Sequence, residues 1–477
     1  MAAIDEVRGY LARLREEGSV RTDLPPRVEE EYYNPIECAP REKIEGLRDK
    51  HLRHIVNWAY KYSQFYRKLW DEAGVKPDDI QGYDDLEKLP VWRKAQQRQD
   101  EAEHPLFGSR AVKELIPYVP LIFRSTGTTG LPTMLLWLPE DFDAFTETRG
   151  RWFYAAGCRT GGAFVNFTPS ARGQMTPRVM ELAARTTGLI YYDEEVSGYQ
   201  SDPQASASFI FKLGEFYKPL CTFMAPEFLL TLAQQFKKMD KESPFDVVLV
   251  GGTPLSPRLR QELHMFYKKI KGFSSGSGGL EGGVLSECLF SAEKGIGHYH
   301  ECGDLLVHEV VKPGTQERVA EGERGELVVT IFFNHTLPVI RFGVEDVFEN
   351  SSTTQTCGCG RTAKRWLKPC PGRLKDIFKV RGRELMPWDV ELVIGEIPDT
   401  TMIYQIFLDG WDMDKLKVKI ETSRELPNPE YEREAKTILE NKLNIPTEVE
   451  LIPAGTISPS PGGYKVMKIV DKRPKKV

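Results

Sequence analysis

The 477-residue sequence has only 8 cysteines and 8 histidines, and its 64 basic residues are outnumbered by 69 acidic ones, for a net charge of −5. Cysteines this few and this scattered exclude a secreted scaffold stapled by disulfides. Without an excess of positive charge, the chain has no global field to hold nucleic acid or an anionic membrane surface. A small molecule is therefore the expected partner.

The sequence also lacks long apolar runs. No uninterrupted apolar stretch is long enough to span a bilayer, and the first ten residues mix acidic and basic side chains where a signal peptide would need an apolar run. We therefore expect a soluble cytoplasmic protein. The length exceeds what one hydrophobic core supports, so a large domain with a smaller one is expected.

A loop at residues 123–133 (FRSTGTTGLPT) is dense in hydroxyl side chains and glycine. Glycine lets backbone N–H groups turn toward an anion, and Ser and Thr hydroxyls add donors that fit phosphate oxygens. The loop is not a Walker A motif, because Leu131 and Pro132 stand where that motif has lysine and Ser or Thr. We predict phosphate binding, with a polar hairpin turn as the alternative. The predicted phosphate-binding residues are Ser125, Thr126, Gly127, Thr128, Thr129 and Gly130.

Hydrophobic periodicity divides the chain into three zones. Apolar residues recur at helical spacing over 41–70, which predicts a helical lead-in to about residue 120. Over 121–347, short β-rich runs such as 163–167 alternate with helical patterns such as 226–237, which indicates α/β layering.

The last zone begins at about residue 374. A hairpin turning near Gly382 is followed by a helix, two strands, a charged helix over 429–442 and a strand over 447–452. This order predicts a small α+β domain that ends in a loose basic tail.

Four cysteine and histidine residues are candidates for a metal site. Cys357 and Cys359 are one residue apart in a tight turn, and Cys288 and His300 lie upstream. Three thiolates and an imidazole would form a closed tetrahedral zinc site of the structural type. The spacing is not that of a standard zinc finger, and buried unpaired cysteines are common, so unliganded thiols are the alternative. The alternative ligands are His298 and Cys302.

Several motifs, in order along the chain, resemble those of the adenylate-forming acyl-CoA synthetases. They are the 123–133 loop and residues 336–346 (TLPVIRFGVED), 372–382 (GRLKDIFKVRG) and 463–468 (GYKVMK). Residues 59–66 (AYKYSQFY), together with Tyr33-Asn-Pro, are similar to the phenylacetate–CoA ligase branch. The resemblance implies a fold with a large N-terminal α/β domain of layered sheets and helices, the adenylation core at 1–374, and a small mobile C-terminal α+β domain at 375–477.

The resemblance also implies an activity. It is that of an ATP-dependent, AMP-forming ligase that activates an aromatic or arylacetic acid as its acyl-adenylate and transfers the acyl group to coenzyme A. The alternatives are an adenylating ligase with a non-CoA acceptor and a degenerate homologue that binds nucleotide without catalysis. A homodimer remains open. Members of the ligase branch have a Cys, a His and a Cys-x-Cys in matching places, which favours structural Zn²⁺.

The same resemblance implies catalytic and hinge residues. Lys465 matches the catalytic lysine, whose ammonium stabilises charge between the substrate carboxylate and the α-phosphate; in a basic tail it would otherwise be surface charge. Glu281 matches the glutamate that helps to hold Mg²⁺ against the phosphates. Asp376 matches the hinge on which the small domain swings.

Nucleotide-binding residues follow in the same way. Asp346 matches the carboxylate that accepts hydrogen bonds from the ribose hydroxyls, and Arg373 matches an arginine near the nucleotide. Gly252, Thr253 and Pro254 fit the loop that lines the adenine.

Two positions depart from the family pattern. Ser277 stands where the family has a tyrosine that stacks on adenine, so Phe273 or another aromatic residue would have to replace it. Leu131 stands where near relatives have lysine, so Arg124 or Arg172 would have to supply that charge. An apolar, flat pocket for the acid is expected from Phe167, Met175, Phe223 and Met224.

Overall fold

The computed structural model describes residues 2–124, 133–169, 174–279, 283–457 and 466–473. The α-helices of these ranges are α1 (Ala3–Glu16), α2 (Arg41–Tyr62), α3 (Gln64–Glu72), α4 (Lys94–Glu103), α5 (Pro139–Ala156), α6 (Met175–Thr186), α7 (Val196–Ser201), α8 (Pro203–Phe216), α9 (Pro226–Lys238), α10 (Pro257–Phe266), α11 (Leu289–Lys294), α12 (Pro387–Ile394) and α13 (Pro429–Leu443). Short 3-10 helices cover Pro35–Cys38, Pro77–Asp79, Tyr83–Lys88, Lys113–Tyr118 and Leu374–Asp376.

The strands of the same ranges are β1 (Trp92–Arg93), β2 (Leu121–Arg124), β3 (Met134–Trp137), β4 (Ala163–Asn166), β5 (Ile190–Asp193), β6 (Leu220–Met224), β7 (Val247–Gly251), β8 (Phe273–Ser277), β9 (Leu285–Ser286), β10 (Tyr299–Glu301), β11 (Leu306–Val311), β12 (Arg324–Ile331), β13 (Val339–Glu349), β14 (Ser352–Thr353), β15 (Arg365–Trp366), β16 (Gly372–Arg373), β17 (Phe378–Val380), β18 (Arg383–Leu385), β19 (Thr400–Leu408), β20 (Asp412–Met413), β21 (Leu416–Thr422), β22 (Thr447–Pro453) and β23 (Ile469–Asp471).

The N-terminal region is helical, as the apolar spacing predicts. The helical pattern over 41–70 forms two helices instead of one, because Ser63 ends α2 and its side chain accepts a hydrogen bond from the backbone N–H of Tyr66, which caps α3. The sequence analysis did not identify α1, although Val7, Leu11 and Leu14 line its buried face at helical spacing.

A nine-stranded sheet forms the centre of the large domain in the described part of the chain, in the order β14-β15-β10-β9-β8-β7-β6-β4-β5. The strands from β5 to β8 are parallel, and the remaining pairs are antiparallel. Every residue of β4, β6 and β7 is buried, which is typical of parallel strands covered on both faces. Ligands of such sheets bind at the carboxyl ends of the strands, where β7 leads into residues 251–254 and β8 ends at Ser277.

A second sheet has the order β1-β13-β12-β11, and β16 also pairs with β13, at Asp346 and Val347. Its antiparallel strands β11 and β12 are buried except for Arg324 at the start of β12, and β13 is buried from Val339 to Gly343. The β13–β16 pairing places Asp346 directly opposite Arg373.

From β17 onward, the described strands pair within the C-terminal part of the chain, in the sheets β18-β17-β20 and β22-β21-β19-β23. Asn428 caps α13 by accepting from the backbone N–H of Tyr431. The predicted fold class, a layered α/β domain followed by a small α+β domain, is confirmed.

The prediction of a loose basic tail was wrong for residues 469–471. These residues form β23, which runs parallel to β19 with Ile469 opposite Ile406. The predicted boundary at 374/375 stays a prediction, and it falls in the 3-10 helix Leu374–Asp376 between the two sets of strand pairings. Among the described helices, none combines the length and apolar character needed to cross a bilayer.

Candidate functional site

Three of the predicted groups lie outside the described residues. They are the phosphate-binding residues 125–130, Glu281 and Lys465. Leu131 and Arg172, which bear on the charge of the phosphate loop, lie outside them as well. The roles assigned to these residues stay predictions, and the site is built below from the residues around them.

Asp346 and Arg373 form an ion pair. Arg373 Nε lies 3.3 Å from Asp346 Oδ1, with the arginine side chain 51% exposed and the aspartate side chain 16% exposed. Glu345, directly before Asp346, has a φ of 67°, a left-handed conformation that is uncommon for residues other than glycine and concentrates at functional sites. The carboxylate of Asp346 is therefore largely buried, and Arg373 balances its charge where β13 pairs with β16.

Asp376 ends the 3-10 helix that follows Arg373. Burial raises the pKa of its carboxyl above the usual range. Beside it, a small apolar cluster joins Val347 of the large domain to Met386 and Trp388 of the C-terminal part. The predicted hinge residue Asp376 therefore lies beside an apolar cluster that joins residues from both sides of the predicted domain boundary.

The predicted adenine loop follows β7 at the carboxyl edge of the main sheet. Gly252 has a φ of +88°, a conformation that favours glycine, so the turn requires this residue type. The Thr253 hydroxyl donates to Glu227 Oε2 at 2.9 Å. At the preceding glycine, Gly251, an added Cβ would lie 2.7 Å from the ring of Phe223, so glycine lets this aromatic ring pack on the backbone.

The suggestion that Phe273 replaces the missing tyrosine was wrong. Phe273 begins β8 and is fully buried, with its ring packed against His264 and Tyr267 in the core. Ser277 lies at the other end of the same strand, paired with Leu285 of β9. The core holds the Phe273 ring, so it cannot stack on a base at the carboxyl edge.

The expected acid pocket is only partly supported. Phe167, Met175 and Met224 are fully buried members of the hydrophobic core, so these three do not line an open flat cavity. Phe223 does lie at the carboxyl edge, and Trp152 of α5 joins it there in an edge-to-face contact of 5.8 Å. An added Cβ on Gly276 would lie 2.6 Å from the Trp152 ring.

No local sequence signal identifies Trp152, because the residues that it contacts on β6 and β8 are remote from it in sequence. Its indole N–H donates to Ser274 Oγ on β8 at 2.9 Å. This bond holds the buried ring against β8, beside Gly276 and Phe223.

The four predicted metal ligands lie together. The ligand atoms of Cys288, His300, Cys357 and Cys359 all lie within 4.8 Å of one another. Cys288 Sγ is 3.9 Å from Cys357 Sγ, and Cys359 Sγ is 3.5 Å from His300 Nε2. Sulfur–sulfur separations of this size are those of thiolates around one tetrahedral ion, so the donor set fits Zn²⁺. Among the described residues, the predicted alternatives His298 and Cys302 are outside this group.

The turn that carries two of the cysteines is held from several directions. The backbone N–H of Gly360 donates to the carbonyl of Cys357, and the Tyr32 hydroxyl donates to the carbonyl of Cys359. Hydrogen bonds from Cys288 and Cys357 lower the pKa of the Cys359 thiol. Arg361 Nη1 also donates to Cys359 Sγ at 3.7 Å. Partners that favour a thiolate and fix its position are typical of the surroundings of a metal site.

Comparisons with known proteins find relatives over nearly the full length of the chain. The family model described as "AMP-binding enzyme C-terminal domain" matches residues 382–473. The chain is 30% identical to a phenylacetate–coenzyme A ligase of Thermus thermophilus over 93% of this chain and 99% of that protein. It is 26% identical to the phenylacetate–coenzyme A ligase of Escherichia coli over 92% of this chain and 97% of that protein.

The fold is shared with solved acyl-CoA ligases. A 2-hydroxyisobutyryl-CoA ligase in its postadenylation state has a TM-score of 0.83 at 19% identity, with 95% of each chain covered. The same ligase in its thioesterification state has a TM-score of 0.68 at 20% identity, with 95% of this chain and 96% of that chain covered. The full-length similarity confirms the resemblance inferred from the motifs, and the chain belongs to the phenylacetate–CoA ligase family of adenylate-forming enzymes.

Proposed function

We propose that the protein is an ATP-dependent, AMP-forming ligase that converts an aromatic or arylacetic acid to its acyl-adenylate and then transfers the acyl group to coenzyme A. The relatives named as phenylacetate–coenzyme A ligases support the reaction class. The structural observation that carries the proposal is the Asp346–Arg373 pair, formed by the two residues that the family motifs assign to the nucleotide.

In this proposal, each described group has a chemical task. Asp346 accepts hydrogen bonds from the ribose hydroxyls, and Arg373 pairs with that carboxylate and holds it in place. Residues 252–254 line one side of the adenine, and the buried rings of Phe223 and Trp152 pack behind the strand ends at which the acyl group is expected. Residues 125–130 and Lys465 stabilise the charge of the phosphates, and Glu281 is the expected ligand of Mg²⁺.

We assign Zn²⁺ to Cys288, His300, Cys357 and Cys359. Bound there, the ion would crosslink the start of α11, β10 and the loop before β15, because its four protein donors come from these three segments. No step of the reaction passes through it. Domain rotation about Asp376, a homodimer and a cytoplasmic location remain predictions.

Pyrophosphate release tests the proposal. The purified protein is given ATP, Mg²⁺ and a panel of acids that contains benzoate, phenylacetate and hydroxycinnamate, with a short aliphatic acid as the control. We expect acid-dependent pyrophosphate with at least one aromatic acid and the matching thioester once CoA is added. Pyrophosphate without thioester would indicate a different acceptor, and no pyrophosphate with any acid would indicate a nucleotide-binding homologue without catalysis.

A further inference from the structure

Lys468 joins the two parts of the chain. It directly precedes β23, and its carbonyl accepts a hydrogen bond from the backbone N–H of Ile406 at 2.8 Å, which fixes its backbone on the C-terminal sheet. Its ammonium contacts the carboxylate of Glu391 in α12. The same ammonium lies 3.4 Å from Glu227 Oε1, in the first turn of α9 in the large domain.

These three charges are withdrawn from water. The side chains of Glu227 and Glu391 are each 2% exposed, and that of Lys468 is 14% exposed. Burial alone would lower the pKa of Lys468, but the two carboxylates raise it above its usual value. Buried charges are costly unless they are paired, so the cluster is favourable only while the two domains keep the three groups together.

The cluster also contacts the predicted adenine loop. Glu227 Oε2 accepts the hydrogen bond of Thr253 in the predicted adenine loop. At the other end, Lys468 is three residues after Lys465, the predicted catalytic lysine. The domain arrangement in which these contacts occur is closer to the postadenylation state of the 2-hydroxyisobutyryl-CoA ligase than to its thioesterification state.

We propose that Glu227, Lys468 and Glu391 form an interdomain latch that holds the C-terminal domain in the arrangement described here, which we assign to adenylation, and that opens when this domain rotates. This inference rests on the proposed function. Lys468 acts as a positioning residue: it stabilises one of two domain arrangements and takes no part in the chemistry. Breaking the latch therefore disfavours the adenylation arrangement relative to the thioesterification arrangement.

The test separates the two half-reactions. Lys468→Met, Glu227→Gln and the double variant are assayed for pyrophosphate formation from ATP and acid, and separately for thioester formation from presynthesised acyl-adenylate and CoA. We expect each single variant to lose roughly ten-fold or more in adenylation, with thioester formation unchanged or faster. The double variant should lose no more activity than the worse single variant, because both substitutions remove the same Lys468–Glu227 contact.

Arg324→Met is the matched control. Arg324 pairs with Asp389 of α12 across the same boundary, at 3.3 Å, but its side chain is 47% exposed, so the pair contributes little. We expect less than about a two-fold change in either half-reaction. Three outcomes would each overturn the latch. The control could lose adenylation selectively to the same extent as the latch variants, or the latch variants could lose both half-reactions equally. The third is that the losses of the two single variants add up in the double variant.

A structural readout keeps the latch testable if no acid is activated. Small-angle X-ray scattering of the full chain should match the described arrangement for the wild type and shift toward a rotated arrangement for Lys468→Met and Glu227→Gln. Unchanged scattering in both variants would overturn the latch whatever the activity. Because Glu227→Gln leaves the Lys468–Glu391 contact intact, it serves as the second variant if Lys468→Met does not fold.

Discussion

Arg373 Nε lies 3.3 Å from Asp346 Oδ1 across two paired strands, immediately before the 3-10 helix that ends at Asp376. Arg373, the predicted nucleotide contact, and Asp376, the predicted hinge, are thus only three positions apart in the chain. If both predictions hold, a change of backbone direction at Asp376 begins within one short segment of the predicted ribose ligand's partner.

This pair gives the first prediction. Asp346→Asn removes the carboxylate charge that accepts hydrogen bonds from the ribose, and we expect the KM for ATP to rise about ten-fold or more with a smaller effect on the KM for the acid. Steady-state kinetics with each substrate varied in turn measure the split. Asp399→Asn is the control, because Asp399 pairs with Arg424 on the exposed surface of the C-terminal part. Equal increases in both KM values would contradict a nucleotide role.

The second prediction concerns the metal. The purified protein should contain about one zinc per chain, and Cys357→Ser should lower the unfolding temperature more than it changes turnover, because structural zinc contributes folding free energy. Elemental analysis and thermal unfolding measure these two quantities. Cys38→Ser is the matched control, since Cys38 is exposed and outside the four-residue group. If the protein is expressed with zinc available and elemental analysis then finds no zinc in it, the zinc site is contradicted.

Much of the fold follows from the sequence because its signals are local. The runs that form β4, β7 and β12 each contain a stretch of consecutive apolar residues that includes valine, and buried strands of this kind are indicated by composition and length. The charged helix over 429–442 and the strand after it also appear in the structure within one residue, as α13 and β22. Periodicity and turn residues suffice for such elements.

The errors concern contacts between distant parts of the chain. Residues 468–473 contain four charged side chains and therefore resemble a solvated tail, yet Lys468 is matched by Glu227 and Glu391, which are remote in sequence. Phe273 and Ser277 are both on β8, but the sequence cannot show that the first residue is in the core and the second at the carboxyl edge. Such distinctions need the packing of the whole sheet.

The third prediction tests Lys465, which the Gly-x-Lys motif alone supports. Lys465→Ala should reduce adenylate formation by about two to three decades, because an ammonium that stabilises charge in the transition state of one step is lost. Thioester formation from presynthesised adenylate should remain nearly intact. Lys472→Ala, nearby in the same basic segment, is the control and should leave both half-reactions unchanged. Equal losses in both steps would contradict the assignment.

The last prediction concerns rotation about Asp376. Proline at this position would fix φ near roughly −65° and remove a backbone donor, so it restricts the swing of the C-terminal part while leaving the nucleotide loop at 252–254 unaltered. The described arrangement is closer to that of a postadenylation state, so we expect Asp376→Pro to keep pyrophosphate exchange and to lose CoA transfer disproportionately.

Rapid-quench measurement of each half-reaction compares the two losses. Asp376→Ala is the control, because it removes the carboxylate without restricting φ and separates a backbone effect from the loss of the half-buried charge. The opposite asymmetry, with adenylation lost and CoA transfer kept, would still locate the hinge here, since it would mean that proline favours the rotated arrangement. Wild-type rates in both steps would place the hinge elsewhere, because a fixed φ at a residue that must change its backbone angles cannot leave both arrangements equally accessible.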